Sequence, residues 1–232
     1  MIAATGVSTS LTRTLHLDTP RRYPLPLAGA ATKRTLDIVL SILLLLGFLP
    51  IVALAMAAIW LESPGSPIFH QDRIGRDGRT FRLLKIRTMF SRNSDSSHQA
   101  YITALIKGQA QQHAGMFKMA HDPRITRIGR VLRRYSIDEL PQLWNVVKGD
   151  MSLVGPRPAL PYEVELYDAR QRQRLRVKPG VTGLWQVMGR ATMSFQEMVE
   201  LDIKYWESWT FPMELWILLR TPWTVARGIG AA

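Results

Sequence analysis

The strongest constraint on this chain is a stretch from Ile38 to Trp60 that contains no charged residue. At about 1.5 Å per residue, a helix of this length spans a hydrocarbon core of about 30 Å. A cleaved secretory signal is one alternative, because Ala55–Ala57 resembles a cleavage site. The apolar stretch is too long and begins too late for such a signal. A single transmembrane helix is the plainest interpretation.

Two features favour a re-entrant hairpin over a single crossing. Pro50 lies in the middle of the stretch, and a proline inside a helix costs about 3 kcal/mol because it removes a backbone hydrogen bond. In lipid, the freed carbonyl of Leu46 needs another partner. Both flanks are basic, with Arg13, Arg21, Arg22, Lys33 and Arg34 before the stretch and Arg73, Arg76, Arg79, Arg82, Lys85 and Arg87 after it. Cytosolic segments are rich in Lys and Arg, so we predict that both ends are cytosolic and that the membrane segment breaks at Pro50.

The net charge restricts the partners of the protein. Thirty Lys and Arg against 18 Asp and Glu give a formal charge of +12, which requires an anionic partner. Nucleic acid, acidic lipid and a phosphorylated substrate all satisfy this requirement. The chain has no cysteine, which excludes disulfides, thiolate metal sites and cysteine nucleophiles. Its five histidines lack the HExxH spacing of zinc hydrolases.

The rest of the chain divides into segments of different character. Residues 1–30 lack periodicity and are predicted to form a flexible tail, followed by the membrane hairpin at 31–62 and a cytosolic, partly interfacial domain at 63–232. Turn residues from Gly75 to Gly78 predict a short β-hairpin. Residues 91–120 have little pattern and suit a loop or a mobile lid.

A basic amphipathic helix is predicted after residue 121. One face carries four arginines, Arg124, Arg127, Arg130 and Arg134. The other face is largely apolar and carries Ile125, Ile128, Leu132 and Tyr135. A solvated surface helix, contact with a lipid surface and phosphate binding all fit this pattern. The neighbouring membrane segment favours lipid contact over nucleic acid.

Two adjacent acids follow this helix. Ser136 and Glu139 have the spacing of a capping box, which predicts a helix that begins at Ser136 and ends at Gly149. In the plain interpretation, Asp138 and Glu139 are first-turn acids that match the helix dipole. A helix N-terminus also attracts phosphate, and two carboxylates there can hold Mg²⁺ and attack phosphorus.

The segment Pro156-Arg157-Pro158 is the third candidate. Two prolines restrict the backbone on either side of Arg157, and a guanidinium held in this way suits bidentate recognition of a phosphate. Taken alone, such a segment is usually only a turn.

Together these motifs are specific. The stretches DPRITRIGRVLRRYSIDELPQLWNVVKGDMSLVGPRP, KIRTM at 85–89, KRTLDIVLS and KPGVTGLWQVMGR resemble the bacterial sugar transferase family over about residues 32–230. Its members are monotopic polyprenyl-phosphate phosphoglycosyl transferases that initiate exopolysaccharide and glycan assembly. The resemblance implies an α-rich α+β monotopic membrane protein with a re-entrant membrane helix, interfacial amphipathic helices and a small β-hairpin. The family usually has Ser-Pro at the membrane break, whereas this chain has Leu49-Pro50.

The resemblance also implies a mechanism and its residues. A nucleotide sugar is attacked by the aspartate of an Asp-Glu pair, and the sugar phosphate then passes to polyprenyl phosphate. Asp138 matches the nucleophile and Glu139 the Mg²⁺ ligand. The remaining catalytic positions are Lys85 and Arg133, and the substrate-binding positions are Arg157, Arg87, Pro156 and Pro158.

The implied partners are a UDP-sugar, with UDP-glucose or UDP-galactose expected first, undecaprenyl phosphate and membrane lipid. Nucleic acid is not expected as a partner, and a homodimer is a further expectation. The implied location is the cytosolic face of the bacterial inner membrane. An inactive scaffold with the same fold and a basic nucleic-acid-binding protein are the alternatives. The intact set of Asp138, Glu139, Lys85, Arg133 and Arg157 favours an enzyme over both.

The C-terminal part is rich in aromatic residues. Helical spacing joins Phe195, Met198, Val199, Asp202, Trp206 and Trp209, and Trp216–Leu219 and Trp223 follow. Core packing is the plain interpretation. In the alternative, the region is an interfacial helix whose Arg220 and Arg227 face lipid phosphates.

Overall fold

The protein is described from a computed structural model that covers residues 27–90, 96–107, 124–189 and 193–227. Most of the predicted tail and much of the predicted lid at 91–120 lie outside the described residues. The helices are α1 (Leu27–Glu62), α2 (Ser96–Ile106), α3 (Arg127–Arg134), α4 (Gln142–Lys148), α5 (Pro161–Glu165), α6 (Leu184–Gly189), α7 (Phe195–Glu207) and α8 (Phe211–Ala226). The strands are β1 (Ile68–Ile74), β2 (Thr80–Ile86), β3 (Ser152–Val154) and β4 (Gly180–Thr182).

Helix α1 is the one helix in the described part of the chain that is long and apolar enough to cross a membrane. It is assigned as a continuous helix through Pro50, so the predicted break stays a prediction. Its burial changes along its length. Lys33, Asp37 and Ser41 are buried at four-residue intervals, and Ala55 and Ile59 are buried further on. Every residue from 46 to 51 is exposed, so the helix touches the rest of the protein near both ends but not in the middle.

The first end of α1 is held by polar contacts. The ammonium group of Lys33 donates a short hydrogen bond to Glu214 of α8. Asp37 accepts hydrogen bonds from the Ser152 hydroxyl at 2.8 Å and from the Leu153 N–H at 3.0 Å. Arg34 donates to the carbonyls of residues 146 and 147 at 2.7 and 2.9 Å, where α4 ends. This end of α1 is therefore joined to α4, β3 and α8.

The second end of α1 is held mainly by apolar packing. Ala55 and Ile59 pack with Ile86 of β2 and Leu132 of α3. The Glu62 carboxylate accepts hydrogen bonds from the backbone N–H groups of residues 127 and 128, at 2.7 and 3.0 Å. Those groups lack partners inside α3 because they belong to its first turn. The last turn of α1 therefore caps the basic helix α3.

The two small sheets differ in how well the sequence predicted them. Strands β1 and β2 pair antiparallel from Ile68↔Ile86 to Ile74↔Thr80, which confirms the predicted hairpin. Asp77 and Gly78 adopt positive φ angles of 56° and 77° in its turn. Strands β3 and β4 pair parallel, a contact between distant segments that the sequence analysis did not predict.

The aromatic C-terminal region serves two purposes. On α7, the predicted face is buried in the main hydrophobic core, as the plain interpretation expected. On α8, Trp216, Leu219 and Trp223 are exposed, with Leu219 at 80%. Arg220 and Arg227 lie over the rings of these two tryptophans, at 5.7 and 4.4 Å from the ring centroids. The exposed face of α8 keeps the interfacial interpretation as a prediction.

The predicted capping box at Ser136 was wrong. Ser136 adopts a left-handed conformation (φ 54°, ψ 22°), and its side chain caps no N–H group. A 3₁₀ turn from Ile137 to Glu139 follows, and α4 begins only at Gln142. The end of this helix was predicted correctly, because Gly149 closes it with φ 97°. The tight turn between α3 and α4 directs Glu139 toward β2 instead of back along its own helix.

Candidate active site

Lys85 and Glu139 form the centre of the site. The Lys85 ammonium lies 2.9 Å from the Glu139 carboxylate, and their side chains are 21% and 25% exposed. Lys85 comes from β2, and Glu139 comes from the 3₁₀ turn after α3. The structure therefore brings together two predicted residues that are 54 positions apart in the sequence.

Asn145 fixes the position of α4 against β2. Its side chain accepts a hydrogen bond from the Leu84 N–H at 3.1 Å and donates to the Arg82 carbonyl at 2.8 Å and to Asp150 at 3.3 Å. Asn145 is fully buried, so these bonds form away from water. Because Leu84 precedes Lys85 directly, Asn145 holds the strand that carries Lys85. Asn145 was not among the residues selected from the sequence.

The backbone around Arg157 is held from both sides. The Gly180 N–H donates to the carbonyl of Pro156 at 2.8 Å, and Arg73 donates to the carbonyl of Pro158 at 2.8 Å. Gly180 has to be glycine here, because a Cβ atom would lie 2.1 Å from the backbone nitrogen of Gly155. The predicted stiffness of this segment therefore comes from neighbouring strands as well as from its two prolines.

Arg73 is a site residue that the sequence analysis did not select. It is buried on β1, where Gln71 accepts hydrogen bonds from it at 3.1 and 2.6 Å. Burial, followed by the nearby charge of Arg157, lowers the pKa of Arg73 to about 10. Arg73 therefore stays cationic at neutral pH, although burial and a like charge both oppose it. An anion bound between the two arginines would relieve this repulsion.

Lys85, Glu139, Arg73 and Arg157 line one cleft. Its lining consists of Arg73, Leu83, Lys85, Glu139, Gln142, Arg157, Pro158, Gly180, Val181 and Gln186. Three side chains are cationic and one is an acid. Such a lining is suited to an anionic ligand, with phosphate or pyrophosphate as the natural candidates.

Asp138 and Arg133 lie next to the cleft. Asp138 is only 7% exposed and precedes Glu139 in the 3₁₀ turn, but its side chain is not part of the cleft lining. Arg133 lies in the last turn of α3, and its carbonyl accepts a hydrogen bond from the Ser136 N–H at 3.2 Å. The left-handed Ser136 thus joins the helix that carries Arg133 to the turn that carries the two acids.

Two of the predicted substrate-binding residues have other surroundings. Arg87 is buried and donates to the backbone carbonyls of residues 63, 64 and 65, in the turn that follows α1. It does not line the cleft, because its guanidinium holds this turn. Pro156 faces a second small cavity, formed with Ile74 and Val177. Arg157 and Pro158 line the cleft as the sequence predicted.

The acids of the site suit a divalent cation in one particular way. The described residues contain no group of three or more His, Asp or Glu side chains that could hold a metal ion. Mg²⁺ is usually bound through one or two carboxylates together with substrate phosphate oxygens, and not by an all-protein cage. The adjacent carboxylates of Asp138 and Glu139, at the edge of a cationic cleft, fit this arrangement.

Comparisons with known proteins agree with this chemistry. A family model described as bacterial sugar transferase matches residues 28–228. The exopolysaccharide production protein ExoY of Sinorhizobium fredii is 39% identical, and the match covers 83% of this chain and 84% of that protein. The galactosyl transferase CpsE of Streptococcus agalactiae is 44% identical over 86% of this chain. The UDP-glucose:undecaprenyl-phosphate glucose-1-phosphate transferase of Caulobacter vibrioides is 42% identical over 85% of this chain and 71% of its own length.

The relatives differ in how much of their length this chain covers. It matches 84% of ExoY from Sinorhizobium fredii but only 43% of CpsE. The family-model match, residues 28–228, contains the cleft and nearly all of the apolar helix α1.

Proposed function

This chain belongs to the bacterial sugar transferase family and is a phosphoglycosyl transferase, and we propose that it transfers a sugar 1-phosphate from a UDP-sugar to undecaprenyl phosphate. The observation that carries this proposal is the cleft, in which Glu139 pairs with Lys85 beside Arg73 and Arg157. The names of relatives that transfer galactose or glucose to the same lipid carrier support it.

The cations address the main physical obstacle to this reaction. A carboxylate that approaches a pyrophosphate is repelled, at about 4 kcal/mol for one pair of unit charges 4 Å apart and an effective dielectric of 20. A diphosphate presents more than one such charge. Three cationic side chains in one partly buried cleft offset this repulsion, and they stabilise the charge on the phosphoryl oxygens in the transition state.

We propose that the transfer takes two steps through Asp138. In the first, an oxygen of the Asp138 carboxylate bonds to the β-phosphorus, the bond from this phosphorus to the bridging oxygen breaks, and UMP leaves with the electron pair. In the second, an oxygen of undecaprenyl phosphate attacks the same phosphorus. The bond to Asp138 then breaks, which gives undecaprenyl diphosphate-sugar and restores the carboxylate.

Glu139, which lines the cleft, is the residue that would hold Mg²⁺. When bound there, the ion would neutralise charge on the diphosphate. Lys85 keeps the Glu139 carboxylate in place by their 2.9 Å contact. Arg157, with its backbone held on both sides, would orient the diphosphate.

The lipid acceptor requires a membrane, and α1 supports its presence. The exposed apolar residues of α1 include Leu43, Leu46, Leu49 and Leu54, all at least 59% exposed. Both ends of the helix contact the domain that contains the cleft, while residues 46–51 are exposed. A helix that enters the bilayer and returns to the same side would have this pattern. We propose that α1 is re-entrant near Pro50 and that the cleft faces the cytosol at the inner membrane, with a homodimer as a further expectation.

The sugar is proposed by analogy. The relatives include an undecaprenyl-phosphate galactose phosphotransferase from Salmonella typhimurium, 40% identical, and the glucose-1-phosphate transferase described above. Glucose and galactose differ only in the configuration of one hydroxyl. We therefore propose UDP-glucose or UDP-galactose as the donor.

Intact-mass measurement after incubation with Mg²⁺ and a panel of UDP-sugars, without acceptor, tests the mechanism. We expect an adduct of one sugar phosphate, which undecaprenyl phosphate removes. Asp138→Asn should form no adduct and should not turn over. The matched control is Asp77→Asn, in an exposed turn where Asn tolerates the positive φ angle. Full turnover by Asp138→Asn would refute the assignment of Asp138 as the nucleophile. Turnover by the wild type without a protein adduct from any donor would favour direct transfer.

A further inference from the structure

Gln186 has a buried side-chain oxygen that no described residue satisfies. It lies on α6, directly after β4, and is 8% exposed. Its side-chain oxygen is buried and has no hydrogen-bond partner among the described residues. An unpaired buried carbonyl typically costs about 1–3 kcal/mol, so a position of this kind needs an explanation.

The position of this amide is maintained by a close approach of two backbone segments. A Cβ atom on Gly183 would lie 3.0 Å from the Gln186 oxygen and 2.5 Å from the carbonyl of Gly155. Gly183 thus leaves room for the side chain between β4 and the segment that precedes Pro156. The amide lines the same cleft as Lys85 and Arg157.

The surrounding side chains indicate which kind of ligand group can donate a hydrogen bond to this amide oxygen. The cations of the cleft can only donate hydrogen bonds, and the oxygens of a diphosphate can only accept them. The phosphates of a sugar nucleotide therefore pair with Arg73, Lys85 and Arg157 and leave the carbonyl of Gln186 without a donor. The hydrogen-bond donors of such a substrate are the hydroxyls of its sugar and the donor groups of its nucleoside.

The cleft favours the transferred sugar over the nucleoside. Gln186 and Glu139 line the same cleft, and Glu139 directly follows Asp138 in the chain. The sugar is bonded directly to the phosphorus that Asp138 attacks, whereas the nucleoside lies one phosphate further away. We propose that the Gln186 side chain accepts a hydrogen bond from a hydroxyl of the transferred sugar, an inference that rests on the proposed function.

Replacement of Gln186 by methionine tests this proposal through its different effects on the melting temperature and on kcat/KM. Gln186→Met removes the amide at similar volume, so the full chain in detergent should keep or raise its melting temperature. Its kcat/KM for UMP release in the presence of undecaprenyl phosphate should fall roughly 10-fold or more. The control is Gln171→Met, because Gln171 is buried but its amide accepts a hydrogen bond from the Asp168 N–H at 3.0 Å. That variant should melt earlier and keep the wild-type kcat/KM.

Donors that lack one sugar hydroxyl at a time identify the contact. Deleting the bound hydroxyl should lower kcat/KM of the wild type roughly 10-fold and leave Gln186→Met unaffected, since the two changes remove one interaction. Additive losses for every deoxy donor, together with weaker inhibition of Gln186→Met by UMP, would overturn the proposal in favour of a nucleoside contact. Wild-type kcat/KM in Gln186→Met would also overturn it. Absence of UMP release by the wild type with every donor would instead refute the proposed function.

Discussion

The protein contains two groups of buried polar side chains that differ in how they are satisfied. The first group, which we call the anchor network, consists of Glu214, Lys33, Tyr205 and Trp209. Glu214 is fully buried and accepts hydrogen bonds from the other three, at 2.7 Å from Tyr205 and 2.8 Å from Trp209. In the cleft, Arg73 lies near the like charge of Arg157, and the amide oxygen of Gln186 has no partner among the described residues. The first group joins elements of the fold, whereas we infer that the second is available to a ligand.

This difference predicts opposite consequences for substitutions. A change in the anchor network removes the closest partner of a buried charge and should lower stability. A change in the cleft removes a group that is available to the substrate and should lower turnover more than stability. Four experiments test the distinction, in order of decreasing expected effect.

Glu214→Gln should have the largest effect. The substitution removes the carboxylate that the Lys33 ammonium contacts most closely and leaves Asp37, 3.8 Å away, as a weaker acidic neighbour. Breaking a buried ion pair typically costs about 3–5 kcal/mol, and Asp37 should place the loss at the lower end of this range. We expect a large fall in melting temperature in detergent. The control Glu200→Gln breaks an exposed pair with Arg170 and should change stability by no more than about 1 kcal/mol. An unchanged melting temperature in Glu214→Gln would show that the network does not hold the fold.

Arg157→Met should show the opposite pattern. Loss of a charge-assisted contact to phosphate should reduce kcat/KM roughly 100-fold. The melting temperature should change much less than in Glu214→Gln, because Arg157 both repels Arg73 and attracts Asp202. Steady-state UMP release and thermal melting measure the two effects. The control is Arg79→Met, in the exposed turn before β2, which should leave both unchanged. A loss of activity that only follows a loss of folded protein would assign Arg157 to the scaffold.

Asn145→Ala should give a mixed effect, because this residue belongs to the scaffold but holds the strand that carries Lys85. Loss of its hydrogen bonds leaves the Leu84 N–H and the Arg82 carbonyl unsatisfied, at a cost of roughly 2 kcal/mol. We expect a lower melting temperature and, at a temperature where the variant is folded, a lower kcat. Wild-type kcat in the folded variant would mean that Lys85 does not depend on this support.

A change in salt concentration should distinguish the cleft from the anchor network, with the smallest effect of the four experiments. Raising the ionic strength from about 0.1 to 1 M shortens the screening length from about 10 to 3 Å, and this affects solvent-accessible charges most. We expect KM for the donor to rise several-fold because the cleft is open to solvent. The stability difference between the wild type and Glu214→Gln should change little, since that pair is buried. Equal salt sensitivity of both quantities would contradict the comparison.

The sequence predicted those parts of the site that short motifs carry. Lys85, Glu139 and Arg157, which the resemblance assigned to one active site, lie in one cleft. The hairpin and the end of α4 at Gly149 were predicted from local residues alone. In each case a few neighbouring residues determine the local structure. The resemblance to a family then related the motifs to each other, although the Asp138 intermediate and the Mg²⁺ ion remain proposals.

Long-range contacts and one local conformation could not be predicted from the sequence. Lys33 and Glu214 are 181 residues apart, and nothing near either residue indicates the other. Arg73 was counted only as flanking charge, because its burial beside the cleft depends on the pairing of distant segments. The capping box failed for a local reason: Ser136 takes a positive φ angle, so its hydroxyl does not reach the N–H groups of the next turn.

The attachment of α1 at both ends has a consequence for protein engineering. A chain shortened to begin after Glu62, as a route to a soluble enzyme, would remove Lys33 from Glu214 and Asp37 from the backbone of β3. It would also expose Ile86 and Leu132, which α1 covers. Helix α1 is therefore a structural part of the domain that contains the cleft, and solubility is better sought by substituting the exposed residues from 46 to 51 than by deletion.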